Sequence, residues 1–183
     1  MKIFNTKFKG LFILEPDIYK DERGYFMETY NSLEAINFLG NIKFVQHNES
    51  KSKKGVLRGL HFQTPPYSQS KLIRCIDGNI LDIALDIRKN STTYGKYAST
   101  LLSNENKRQL FVPKGFAHGF IVLSDSATVL YKVDCHYNPK HEAGILWKDP
   151  YLNIDWKVKK SDIIVSKKDS SLLPLSKINN PFL

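Results

Sequence analysis

The segment Ile80–Ile87 most constrains how this chain can fold. In it Leu81, Ile83, Leu85 and Ile87 alternate with Asp82, Ala84 and Asp86. A period of two sends successive side chains to opposite faces, which is a strand and not a helix. Such a strand is stable only inside a sheet of several strands with an apolar layer to cover. Neighbouring segments supply them. Leu72-Ile73-Arg74-Cys75-Ile76 precedes this strand across the turn Asp77-Gly78-Asn79. Leu110-Phe111-Val112, Phe120-Ile121-Val122-Leu123 and Thr128-Val129-Leu130-Tyr131 continue the series, and Leu11-Phe12-Ile13-Leu14 forms an early strand that stops before Pro16. Only Ser32–Leu39 reads as a helix, with Leu33, Ile36 and Leu39 at helical spacing and Gly40 as its stop. Many short strands with regular turns predict an all-β sandwich or barrel with few short peripheral helices. Residues 149–183 are less periodic and are expected to wrap its outside.

At 183 residues, with no internal repeat or linker, the chain reads as a single domain over 1–183. A hydrophobic share of 42% is enough for a packed core and excludes a disordered chain. No apolar run reaches membrane-spanning length, and Met1–Lys7 lacks the apolar core of a signal peptide. A cytoplasmic protein is therefore expected, with Cys75 and Cys135 read as reduced thiols. The net charge of +9 draws polyanions. No nucleic-acid motif accompanies it, so a solvated basic face or attraction of a small phosphorylated ligand is the expectation.

Two segments carry chemistry. Val56-Leu57-Arg58-Gly59-Leu60-His61-Phe62-Gln63 and Pro113-Lys114-Gly115-Phe116-Ala117-His118-Gly119-Phe120 each place a histidine beside glycine in a strand-like run with positive charge nearby. A strand of this kind can aim one imidazole into a cavity while its neighbours pack outside. On their own residues the other candidates are ordinary: His61 is a strand histidine, Asp169 a surface aspartate, Tyr131 a barrel aromatic and Lys71 a surface lysine.

The second segment fits the proline-x-glycine-x-x-histidine pattern of cupins. Together with Asp21-Glu22-Arg23-Gly24, Arg58 to Gln63, Gly115 to Phe120 and Ser166-Lys167-Lys168-Asp169, in order over nearly the whole chain, it resembles the dTDP-4-dehydrorhamnose 3,5-epimerases. The resemblance implies a double-stranded β-helix (cupin jelly roll) and an isomerase that forms a homodimer. It implies His61 as general base, oriented by Asp169, and Tyr131 as the acid that returns the proton from the other face. Tyr137 is the competing aromatic for that role. Lys71 would stabilise an enolate oxygen. Arg23, Arg58, His118 and Lys168 become candidates for the diphosphate and sugar. Phe26, Glu28, Gln46, Asn48, Tyr137 and Glu142 complete the expected binding set, several of them from the partner chain. The implied substrate is dTDP-4-keto-6-deoxyglucose. A single-site epimerase or a non-catalytic sugar-nucleotide-binding cupin are the alternatives.

Metal-binding cupins carry histidine-x-histidine, and here the second position after His61 is Gln63, a poor ligand. No metal is expected. With no glycine-rich phosphate loop or dinucleotide fingerprint, no other cofactor is expected either.

Overall fold

A computed structural model describes residues 1–183. Its strands are β1 (Lys2–Asn5), β2 (Phe12–Glu15), β3 (Ile18–Asp21), β4 (Gly24–Met27), β5 (Gln46–Lys53), β6 (Leu57–Gln63), β7 (Lys71–Asp77), β8 (Asn79–Asp86), β9 (Tyr97–Ser103), β10 (Gln109–Val112), β11 (Phe116–Val122), β12 (Ser126–Val133) and β13 (Glu142–Gly144). The helices are α1 (Ser32–Leu39) and α2 (Lys167–Ser170). Six strands form one sheet in the order β1-β2-β10-β7-β12-β5, and five form a second in the order β13-β6-β11-β8-β9. Pairing within both is antiparallel. The hairpin β3–β4 stands apart from both sheets. This is the all-β architecture expected from the strand series, in the jelly-roll form that the family resemblance implied.

The sheets face each other across a core that includes Ile73, Ile80, Ala84, Leu110, Phe120 and Val129. A second apolar layer lies on the other side of the five-stranded sheet. There Leu81, Ile83, Leu85 and Ile121 are covered by Ile145, Trp147, Leu152 and Trp156. The alternation of β8 therefore sorts its faces in an unexpected sense. The purely apolar face packs under the C-terminal segment, and the mixed face, with Asp82, lines the interior between the sheets. Both faces are buried, so each large aliphatic side chain of β8 contributes about 1.5–3 kcal/mol. The wrapping segment is pinned by the Trp156 indole, which donates to the Trp147 carbonyl at 3.0 Å.

The helix forms where its sequence predicts. Asn31 caps it by accepting from the Leu33 N–H at 3.0 Å, and Gly40 ends it at φ 66°. Its packing face differs from the expected stripe. Ala35 and Leu39 are buried against Leu14, Leu72 and Phe111, whereas Leu33 and Ile36 are exposed. The small Ala35 side chain lets the helix lie close to the six-stranded sheet, turning Leu33 outward. Cys75 and Cys135 are both free thiols.

β6 and β11 cross at unusually close range. A Cβ on Gly59 would lie 2.5 Å from the Gly119 Cα, and Gly59 has φ 136°. Only glycine fits there. The pair register shifts between His118 and Phe120, and His118 lies opposite His61.

Candidate active site

Between the sheets opens a cavity of about 460 Å³. Arg58 and His61 of β6, Lys71 of β7, His118 and Phe120 of β11, Tyr131 of β12, and Ile164, Val165, Ser166, Lys168 and Asp169 of the C-terminal segment line it. A second lobe of about 230 Å³ shares His61, Lys71 and Tyr131 and adds Gln46, Asn48, Tyr137 and Glu142. His61 belongs to the five-stranded sheet, and Lys71 and Tyr131 belong to the six-stranded one. The cavity therefore holds a candidate base on one wall and a candidate acid on the other.

Asp169 reaches His61 from 108 residues away, with Oδ1 at 2.7 Å from Nε2. Local structure explains how. The Leu57 N–H donates to the Ile164 carbonyl and Val56 bridges Ile164, laying the C-terminal segment along β6. Ser166 then caps α2 by accepting from the Asp169 N–H at 3.0 Å, and this turn directs the carboxylate inward. The second carboxylate oxygen accepts from the Gly59 N–H at 3.3 Å. Burial alone would push the Asp169 carboxyl up. The His61 hydrogen bond and charge, with the Gly59 N–H, outweigh it and hold the group below the usual carboxylate range. An anion so placed fixes the tautomer of His61 and supports its protonated form.

Lys71 is half-buried and has no ion-pair partner. Its ammonium lies 5.9 Å from the centre of the Tyr131 ring. Burial pulls its pKa down from 10.5 to about 8, against the opposing charges of Asp82 and Glu142. At neutral pH it remains an ammonium, which suits stabilisation of a developing oxyanion. Burial pushes the Tyr131 hydroxyl up, with Arg58 pulling the other way and Glu142 adding to the rise. A phenol that keeps its proton at neutral pH is a competent donor.

Charge and hydrogen bonds organise the remaining cavity wall. Lys168 Nζ lies 2.5 Å from a Glu142 carboxylate oxygen, and the Tyr137 hydroxyl donates to the same oxygen at 2.6 Å. Burial would raise the Glu142 carboxyl, but Lys168 and Tyr137 hold it below its ordinary value. The Gln46 amide donates to Asn48 at 2.8 Å and accepts from the Tyr137 N–H at 3.0 Å. Arg58 Nε donates to the Ser52 hydroxyl at 3.1 Å, leaving the rest of its guanidinium at the cavity mouth. Tyr137, the competing aromatic, is committed to Glu142, whereas the Tyr131 hydroxyl has no protein partner.

Three expected binding residues are not brought to this cavity. Arg23, on the turn of the β3–β4 hairpin, is 85% exposed in its side chain and pairs with Asp21 at 2.5 Å. Phe26 is 70% exposed, and Glu28 lies beside Met1, Asp17, Tyr19 and Glu34 in a separate surface pocket. Gln63 spends its amide on the backbone: it donates to the Tyr67 and His136 carbonyls at 2.7 and 3.2 Å and accepts from the Asn138 N–H at 2.7 Å. Side chains of His, Cys, Asp and Glu form no group of three placed to ligate a metal.

Sequence reading missed Ser50, Ser52, Ser166 and Asp82. Ser50 and Ser52 continue the inward row of Gln46 and Asn48 on β5. That row is detectable only as alternation among polar residues, because its inner face lines a cavity and not a core. Asp82 lay in plain view inside the apolar alternation, where a buried carboxylate is itself the signal.

A family-wide sequence description named dTDP-4-dehydrorhamnose 3,5-epimerase matches residues 5–177. The dTDP-4-dehydrorhamnose 3,5-epimerase of Methanothermobacter thermautotrophicus is 51% identical over 178 residues, covering 95% of this chain and 94% of its own. That of Shigella flexneri is 49% identical over 170 residues, covering 92% and 93%. The crystal structure of a dTDP-6-deoxy-D-glucose-3,5-epimerase from Legionella pneumophila in complex with dTDP-4-keto-L-rhamnose superposes with a TM-score of 0.95 at 44% identity, covering 100% of this chain and 98% of its own.

Proposed function

The chain belongs to the dTDP-4-dehydrorhamnose 3,5-epimerase family, and we propose that it inverts C3 and C5 of dTDP-4-dehydro-6-deoxy-D-glucose to give dTDP-4-dehydro-L-rhamnose by base–acid chemistry across this cavity. The observation that carries the reading is the placement of His61, held by Asp169 at 2.7 Å, on one sheet, with Tyr131 and Lys71 on the facing sheet. Epimerisation needs one group to take a proton and a different one to return it across the carbon.

The C4 ketone acidifies the hydrogens at C3 and C5. His61 removes one of them, and Asp169 supports the imidazolium that forms. The electron pair of the C–H bond moves onto the C4 oxygen, where the Lys71 ammonium stabilises the enolate. Tyr131 protonates the carbon from the opposite face, and proton exchange with water resets both residues. The same cycle at the second carbon completes the double inversion. Each cycle breaks and remakes one C–H bond with no net redox change, so these four side chains supply every group it needs. Arg58 and Lys168 at the rim provide positive charge for the nucleotide diphosphate.

The working unit in this reading is a homodimer in the cytoplasm. The support for a dimer is the hairpin: Arg23, Phe26 and Glu28 lie away from their own cavity, and Tyr19, Tyr25 and Phe26 expose a large apolar surface. A second copy brings that hairpin to the cavity of the first. No helix is long and apolar enough to cross a membrane.

The test is incubation of the protein with the 4-keto sugar nucleotide in heavy water. Deuterium at both C3 and C5 with inverted product supports the double epimerase. Deuterium at one carbon supports a single-site epimerase, and none at either refutes catalysis.

A further inference from the structure

The outer face of the six-stranded sheet carries a cluster that the reaction described above does not use. Side chains along β5 alternate between the cavity and the exterior, so His47 points away from the side that carries Gln46 and Asn48. The same alternation along β12 turns Lys132 away from Tyr131. His47 and Lys132 are register partners on these adjacent strands. With Lys43, Phe44, Tyr30 and Ser32 they line a pocket of about 280 Å³. The Lys132 ammonium lies 4.6 Å from the centre of the Tyr30 ring, and the Phe44 ring meets Tyr30 edge-on at 5.3 Å. The aromatic wall holds the lysine stem and leaves its charge half-buried at the pocket.

Charge in this pocket is one-sided. Two ammoniums and an imidazole share it, and no carboxylate lines it. None of the three enters an ion pair. Glu49, the next outward residue of β5, lies opposite Leu130 and not opposite Lys132. Basic side chains directly opposite on neighbouring strands work against the fold, and a partly buried ammonium is costly without an anion. Burial lowers the Lys132 pKa, with no carboxylate opposing it.

We propose that this pocket binds a phosphoryl group, with Lys43 and Lys132 supplying charge and His47 and Ser32 supplying further hydrogen-bond donors. The donors come from four segments: the loop before β5, β5 itself, β12 and the first residue of α1. An ammonium only donates, and an imidazole keeps at least one N–H in either tautomer. A phosphoryl group offers three or more oxygens in a tetrahedral array, whereas a carboxylate offers two in one plane. Donors reaching one space from four segments match the first arrangement, and hydrogen bonds from cations to such oxygens are the strong ones. The site lies on the reverse of the wall that carries Tyr131, and it shares no residue with the rim charges Arg58 and Lys168.

The site does not depend on the epimerase reading, and its test needs no turnover. The probe is inorganic phosphate, and the readout is the reactivity of each lysine. Acetic anhydride labels the neutral amine, and peptide mass spectrometry gives the extent at every lysine separately. At fixed pH, phosphate should protect Lys132 and Lys43 several-fold with one shared midpoint, whereas chloride at equal ionic strength should not. Exposed Lys148 serves as the internal control. Lys168→Gln, which removes charge from the rim of the catalytic cavity, should leave that protection in place. Lys132→Gln keeps a stem over Tyr30 without the charge and should abolish protection at Lys43, while Lys132→Arg should retain it. Methyl phosphate separates the two sources of the group: a lower midpoint with the ester identifies a phosphorylated metabolite, and a lower midpoint with inorganic phosphate identifies the free ion. Equal protection by chloride, protection at Lys43 that survives Lys132→Gln, or no protection at either lysine overturns the proposal. A Lys132 that is unreactive even without phosphate would mean that a second copy of the chain covers the pocket, and it overturns the proposal as well.

Discussion

His61 and His118 are register partners across β6 and β11, and each is held by its own aspartate, Asp169 at 2.7 Å and Asp82 at 2.9 Å. The two pairs sit in different surroundings. His61 is 30% exposed and opens onto both lobes of the cavity, whereas His118 is nearly enclosed. Access to substrate separates a base from a fixed wall residue, and it supports the proposed choice of His61 for proton abstraction.

His61→Asn is expected to lower kcat by roughly 100- to 10,000-fold, the range of a lost general base. Substrate affinity should stay within a few-fold, because the proposal gives nucleotide binding to rim charges and not to the imidazole. Steady-state kinetics with an independent binding titration check this. Near-normal turnover would remove His61 from the mechanism.

Asp169→Asn keeps the shape of the pair and removes the charge that supports imidazolium. The Gly59 and Ser166 contacts can persist, so the fold should survive while turnover falls about 100-fold or more. The check is a pH–rate profile beside a thermal melt. A profile identical to wild type in shape and height would reduce Asp169 to a packing residue.

Tyr131→Phe leaves the base intact, so hydrogen at C3 or C5 should still exchange with solvent. Return from the opposite face should fail, and inverted product should drop far more than exchange. Deuterium uptake and inversion are measured in the same sample. Equal losses of both would move the acid role to Tyr137.

Lys71→Met should abolish most turnover and make the protein more stable. In the folded state Lys71 titrates near 8, against 10.5 when unfolded. Below pH 8 the folded protein therefore carries the cost of a buried ammonium, about 3 kcal/mol at neutral pH. Between these values the unfolded chain binds the extra proton, so wild-type stability rises with pH. Denaturant melts should show the methionine variant ahead at pH 7 and its advantage shrinking above about pH 8. A variant less stable than wild type at neutral pH would contradict the burial cost.

Gly59→Ala should destabilise by about 2–5 kcal/mol, combining a left-handed φ with a backbone clash on Gly119. Gly24→Ala is the comparison. It has φ 126° but nothing within 4 Å of the added methyl, so only the conformational cost of about 1–3 kcal/mol applies. Urea midpoints for the two variants should differ in that order, and equal losses would discount the close crossing of β6 and β11.

The sequence by itself determined the strands whose apolar residues repeat at period two, the helix Ser32–Leu39 with its cap and stop, and the histidines of the two motifs. These are local patterns: each depends on spacing within about ten residues, and propensity and turn chemistry act at that range. β5 was invisible because Gln46, Asn48 and Ser50 face a cavity, and hydrophobic periodicity reports only surfaces that pack into a core. The tertiary structure alone decided which face of β8 lies inside, since a second apolar layer under Trp147 and Trp156 claimed the leucines and left Asp82 in the interior. It brought Asp169 to His61 across 108 residues and set Tyr131 on the facing wall, an arrangement that the family resemblance implied and that no spacing within the chain revealed. Contacts of that range follow from the way two sheets close on each other and one chain segment crosses them, and no spacing along the sequence encodes that closure.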